Sequence, residues 1–121
     1  MAISVRYPLR PVGSNLGPRD TVIMEMSDPP PTVTDNPTES RYELRIGDEL
    51  VSLADYRRSD GVVTVPHVET KPALQGQGFA EMLMDGIVDD LRARSLTIRP
   101  TCPYAAAYMR DRPDTHDLYA A

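Results

Sequence analysis

The chain has no tryptophan, one phenylalanine (Phe79) and one cysteine (Cys102). A lone cysteine excludes an internal disulfide, so packing and hydrogen bonding must hold the fold. No segment approaches the roughly 20 consecutive apolar residues that span a bilayer. The amino terminus lacks the basic region and following apolar core, about 7–15 residues long, of a secretory signal. A cytoplasmic protein with no membrane partner is therefore expected. Positive charge is also in short supply, with 13 Lys and Arg against 18 Asp and Glu and a net charge of -5. Nucleic-acid binders usually concentrate Lys and Arg to displace counterions from phosphate, so that class is disfavoured, whereas an amine-bearing partner remains compatible. No internal repeat is present, and 121 residues give room for one core, as a monomer or a homodimer.

Proline is abundant and unevenly placed. Of 12 prolines, seven (Pro8, Pro11, Pro18, Pro29, Pro30, Pro31 and Pro37) lie in the first 40 residues. Residues 1–32 therefore read as a Pro-rich extension, with a stiff polyproline spacer from Ser27 to Thr32, and the folded domain as 33–121. Within the extension Ile3, Val5, Tyr7 and Leu9 alternate with Ser4, Arg6 and Pro8, a pattern open to two readings: an added edge strand or a disordered arm.

From Arg41 the pattern is regular. Tyr42, Leu44 and Ile46 alternate with Arg41, Glu43 and Arg45, Gly47-Asp48 turns the chain, and a second strand runs from Glu49 to Tyr56. Arg57 to Gly61 turns it again into Val62–Thr70, a β-branched run interrupted by Pro66. Proline cannot donate to a ladder, so Pro66 marks either an edge or a bulge. Phe79, Leu83, Met84, Ile87, Val88 and Leu91 recur at helical spacing opposite Glu81, Asp85, Asp89 and Arg92, which read as a solvated face. Gly86, inside this helix at a cost of about 1 kcal/mol relative to Ala, predicts a close approach of helix to sheet. Leu96–Pro100 is a further strand, and Pro103 suits the first position of another helix, with Thr101 or Cys102 near its cap. The expected class is α/β: a small mixed sheet in which an antiparallel meander precedes a βαβ crossover and a C-terminal helix.

Between strand and helix stands Gln75-Gly76-Gln77-Gly78-Phe79-Ala80. Glycines beside a helix start let backbone approach a ligand, and the first helical N–H groups, lacking intrahelical acceptors, can point at phosphate oxygens. A Gly-x-Gly by itself more often only turns the chain.

Strand with a bulge, glycine loop, helix, strand and tyrosine-bearing helix together resemble the acetyl-CoA core of the GNAT N-acetyltransferase superfamily. The match extends to a small single-domain subgroup through His67-Val68-Glu69-Thr70 before the loop and Pro100-Thr101-Cys102-Pro103-Tyr104 after the last strand, over roughly Val33 to Leu118. The resemblance implies transfer of an acetyl group from acetyl-CoA, a co-substrate, to an unidentified amine. It places the pyrophosphate on amides of Gln75, Gly76, Gln77, Gly78, Phe79 and Ala80, and the pantetheine arm beside Val68, Glu69 and Thr70. It also implies Cys102 as an active-site residue opening a covalent route, with Glu69 as base and Tyr108 as acid in the direct route.

Each of these has a plain counterpart: Cys102 a packed hydrophobe, Glu69 a solvated strand-end carboxylate, Tyr108 a core tyrosine. No metal is expected, because His67, Glu69, Cys102 and His116 include neither a His-x-x-x-His nor a Cys-x-x-Cys pair. His67 reads as anchoring its strand by hydrogen bonds. Two other classes compete with an enzyme: a CoA- or acyl-CoA-binding module without turnover, and a protein-interaction domain.

Overall fold

A computed structural model describes residues 2–4, as backbone, and 29–120. Six strands form one sheet in chain order: β1 (Ala2–Ser4), β2 (Pro31–Asn36), β3 (Arg41–Ile46), β4 (Glu49–Ser59), β5 (Val62–Thr70) and β6 (Thr97–Pro100). All neighbours are antiparallel except β5 and β6, which run parallel. The crossover between those two is helix α1 (Phe79–Ala93), and helix α2 (Pro103–Arg110) follows β6. This is the expected mixed α/β sheet, with β1 and β2 added beyond the meander.

Two strand limits differ from the sequence reading. Pro31 and Thr32 belong to β2 and not to a polyproline spacer; Pro31 sits opposite Ile46 at the strand's first position, where a missing N–H costs no ladder bond. β4 continues through Ser59, so the turn tightens to Asp60-Gly61. Ile3 lies in β1, paired with Val33, while Val5, Tyr7 and Leu9 fall outside the described residues.

The core is where α1 meets the sheet. Val33, Leu44, Val51, Val63 and Val65 from four strands pack with Leu83, Met84, Ile87 and Leu91 from α1, all at most 2% exposed. Each such side chain contributes about 1.5–3 kcal/mol by leaving water. The helix end is held by polar groups: Tyr42 donates to Asp90 (2.6 Å), Tyr56 donates to Asp35 (2.6 Å), and Arg94 bonds both carboxylates (3.0 and 3.2 Å). Burial, then the bond to Asp35, pushes the Tyr56 phenol up to about 12. Every member of this buried network therefore has a partner, which such burial requires.

Gly86 is the contact that sets how closely α1 lies on the sheet. A Cβ built there would stand 2.6 Å from the Val33 Cβ and 2.7–2.8 Å from both of its methyls. Because the nearest atom belongs to a strand and cannot rotate away, helix and sheet would have to separate. Gly86→Ala would gain about 1 kcal/mol in helix propensity, but overpacking of this kind costs about 1–3 kcal/mol. Urea unfolding of Gly86→Ala is expected to show a net loss of stability; a gain would contradict this packing.

Candidate active site

β5 carries the site. Asp55 pairs with His67 and Arg57 with Thr64, so Val65 and Pro66 together oppose the single residue Tyr56. Pro66 thus sits in a β-bulge, the second of the two sequence alternatives. The bulge changes the parity of the strand: the less exposed positions are Val63 and Val65 before it, Val68 and Thr70 after it. His67 and Glu69 consequently share the other face with their partners Asp55 and Leu53.

The bulge also ends the pairing with β6. The Val65 carbonyl accepts the N–H groups of Thr101 (3.1 Å) and Cys102 (2.9 Å), and Pro66 has no N–H to offer a neighbour. β6 then leaves into α2, with Cys102 as N-cap and Pro103 in the first turn. Among the described residues no strand pairs with the β6-side edge of β5 beyond Pro66. Lys71 N–H points to Val51 of β4, so by alternation the backbone groups of Val68 and Thr70 face that open edge.

A single 3-10 turn, Pro72–Leu74, and the glycine loop close one end of the opening. Gln75 Nε2 donates back to the Thr70 carbonyl (3.2 Å) and ties the loop to β5. Gly76 and Gly78 have φ of +80° and +86°, and among the described residues no atom beyond the chain neighbours lies within 4 Å of a Cβ built on either. Backbone conformation, and not crowding, is therefore what demands glycine at both. Gly78 caps α1, and the first N–H with an intrahelical acceptor is that of Met82. Among the described residues the amides of Phe79, Ala80 and Glu81 have no acceptor.

Strand edge, loop, α1 start and α2 enclose a groove of about 450 Å³. Its walls include Val68, Glu69, Thr70, Gln75, Gly76, Gly78, Phe79 and Ala80, every cofactor-contacting residue expected from the sequence except the exposed Gln77. Glu69 bonds His67 at 2.7 Å between Oε1 and Nε2, both side chains more than half exposed. His67 therefore pairs with a neighbouring carboxylate and not with backbone. Among the described residues no group of three or more His, Cys, Asp or Glu could hold a metal.

The other two expected catalytic residues lie deeper. Cys102 is 6% exposed and part of the core cluster. Tyr108, also 6% exposed, gives its hydroxyl to Asp85 and lies beneath the Arg112 guanidinium, 4.1 Å from its ring centre. Neither lines the groove, whereas Tyr104 and Glu81, to which sequence reading gave no part, both do. Glu81 is paired with Arg112, Asp85 with Tyr108 and Arg92 with Asp117 (2.7 Å). The supposed solvated face of α1 is therefore largely the docking face for α2 and the segment after it.

The family model described as GCN5-related N-acetyl-transferase matches residues 41–118, which include the bulge, the loop and both helices. The chain belongs to this family. It is an N-acetyltransferase of the GNAT type, a family that generally uses acetyl-CoA. The fold is similar to the solution structure of a GCN5-like candidate N-acetyltransferase from Staphylococcus aureus, with TM-score 0.57, 22% identity, and coverage of 74% of this chain and 87% of that one. It is also similar to the ribosomal-protein-S18-alanine N-acetyltransferase of Escherichia coli, with TM-score 0.51, 14% identity, and coverage of 92% of this chain and 74% of that one. No protein of curated function matches the sequence. Among the described residues no helix of this GNAT chain is long and apolar enough to cross a membrane.

The left-handed backbone at Gly78 permits a paired test, since Asn and Asp both tolerate that conformation and differ in charge. Gly78→Asn is expected to keep CoA binding within a few-fold. Gly78→Asp is expected to weaken it by about tenfold or more, a carboxylate there repelling a diphosphate at the helix start. Calorimetry with CoA distinguishes the two; equal affinities would remove the diphosphate from this loop.

Proposed function

We propose that the protein binds acetyl-CoA in this groove and transfers the acetyl group to an amine. The observation that carries the reading is the edge of β5 beyond Pro66, unpaired on its β6 side among the described residues, whose Val68, Glu69 and Thr70 line the groove. A pantetheine arm carries amides of its own, which suit the outward backbone groups of Val68 and Thr70 as a neighbouring strand would. The diphosphate then meets the unused amides of α1 and the glycine loop. The thioester falls toward the bulge.

In the direct route the amine nitrogen attacks the thioester carbon, the C–S bond breaks with its electron pair on sulfur so that CoA leaves as its thiolate, and the amine's surplus proton passes to the Glu69–His67 pair. Glu69 is the member lining the groove, and the 2.7 Å bond lets His67 share the proton or hand it to solvent. The exposed carboxylate of Glu69 favours an acceptor that arrives as a cation and must lose a proton before attack. A protein side chain, a polyamine or a small metabolite would each fit.

Cys102 supports a second route, because it is a free thiol at the N-cap of α2, two residues from a groove wall. There the thiolate would take the acetyl group from CoA as a thioester and release it to the amine.

Release of free thiol from acetyl-CoA across a panel of amines tests the function, and variants separate the routes. Direct attack predicts that Glu69→Gln slows transfer by about 100-fold, within the usual range for losing a general base, while Cys102→Ala stays within a few-fold of the parent. An acetyl adduct on Cys102 by mass spectrometry, together with loss of activity in Cys102→Ala, would establish the covalent route instead. No thiol release with any amine, despite saturable CoA binding, would contradict the acetyl-transfer reading of this groove.

A further inference from the structure

The face of the sheet turned away from α1 carries a second cluster of charge, just before the bulge. Arg57 of β4 pairs with Thr64 of β5, and Thr64 pairs in turn with Arg99 of β6. Their neighbours in sequence, Val63, Val65 and Ile98, point into the core, so the two arginines and the threonine between them share the outer face, with both arginines exposed. Every other Lys and Arg among the described residues is ion-paired with a carboxylate, except Arg58, which pairs with Val63 and so lies on the other face. In a chain with 18 acidic residues against 13 basic ones, Arg57 and Arg99 are thus left without a counter-charge on either side of a hydroxyl. An anion between them relieves their repulsion and gains two charge-assisted hydrogen bonds.

This row adjoins the site. Beyond the bulge His67 and Glu69 emerge on the same face as Thr64, opposite Asp55 and Leu53. Arg99 directly precedes Pro100, the last β6 residue paired with β5. Three steps of chain lead from Thr64 to His67 and the bulge takes up one, which sets the row about 7–10 Å from the Glu69–His67 pair. Between them stands Asp55, across from Arg41, which Glu43 already engages. Along this face, carboxylates at one end suit an ammonium, and arginines at the other suit an anion.

We propose that Arg57 and Arg99 hold an anionic group of the acceptor, a carboxylate or a phosphate, while its amine reaches Glu69. The role of the amine end rests on the acetyl-transfer reading. The acceptor is then a small zwitterion whose negative group lies about 7–10 Å from the nitrogen to be acetylated, the span from row to pair. A polyamine fits poorly, because its far end would meet the arginines as a cation.

The test measures thiol release from acetyl-CoA with ε-aminocaproate, its uncharged amide, aminopentyl phosphate and hexamethylenediamine, which have similar lengths and differ in the distal group. The parent is expected to favour an anionic amine over the uncharged amide by about tenfold in kcat/KM, through KM, a size suited to exposed charge-assisted bonds. Preference for either anion sustains the proposal and says which one the arginines take. Arg57→Gln and Arg99→Gln, melting and binding CoA like the parent, should each bring that ratio down toward one. Arg99→Glu should turn the preference toward hexamethylenediamine. The side-chain Nε–H resonances of Arg57 and Arg99 give a readout without turnover, and ε-aminocaproate is expected to shift them saturably where its amide does not. No preference for an anion in the parent, or an unchanged ratio in both Gln variants, overturns the proposal, while thiol release from the amide leaves the acetyl-transfer reading standing. Should no amine release thiol, that reading fails; arginine resonances moved by ε-aminocaproate alone would still support the anion site, and unmoved ones would overturn it as well.

Discussion

Everything in the site depends on β5 having, among the described residues, two neighbouring strands only as far as Val65. Up to that residue it is an interior strand, paired antiparallel with β4 and parallel with β6. At Val65 one carbonyl takes two N–H groups of the departing chain, and at Pro66 the ladder donor is missing. The strand must then continue with one side open, and three consequences follow. Val68 and Thr70 present backbone to a groove, the change of parity decides which face Glu69 and His67 share, and β6 is released to start α2 with Cys102 and Tyr104.

A second constraint holds the opposite wall. α1 starts at Gly78 in a left-handed conformation and lies against β2 at Gly86, with no room for a methyl between helix and Val33. The start of the helix, and with it the unused amides, is therefore placed relative to β5 by core packing far from the groove. Binding geometry and core stability share the same contacts. Where the strands part, Glu69 of β5 and Tyr104 of α2 stand on facing walls of the same groove.

Much of this was legible in the sequence because it rests on local rules. Alternation announced β3 and β4, Pro66 announced a break in pairing, and the helical spacing from Phe79 to Leu91 marked the buried stripe. Gly86 announced a close approach. What local rules could not supply was which partner a polar residue would meet. Glu81 and Asp85 look solvated on a helical wheel, yet Arg112 and Tyr108, more than 20 positions away, fold onto them. Asp90 is buried because Tyr42, 48 residues distant, donates to it. Pro29-Pro30-Pro31 looked like a spacer, although a proline that begins a strand gives up no ladder bond. His67 and Glu69, two apart, face the same way in any strand, but the bulge decides which way that is. The family model matches the region where local rules worked best, whereas the solved relatives, at 22% and 14% identity, speak for the fold alone.

The most direct measurement of the central claim is the map of backbone amide resonances that move when CoA is added to the isotopically labelled protein. The account predicts the largest changes at Val68, Thr70, Gly76, Gly78, Phe79 and Ala80, with smaller ones at Tyr104 and little at β2 and β3. Saturable changes centred elsewhere, with those amides unmoved, would contradict the bare edge of β5 as the cofactor's seat.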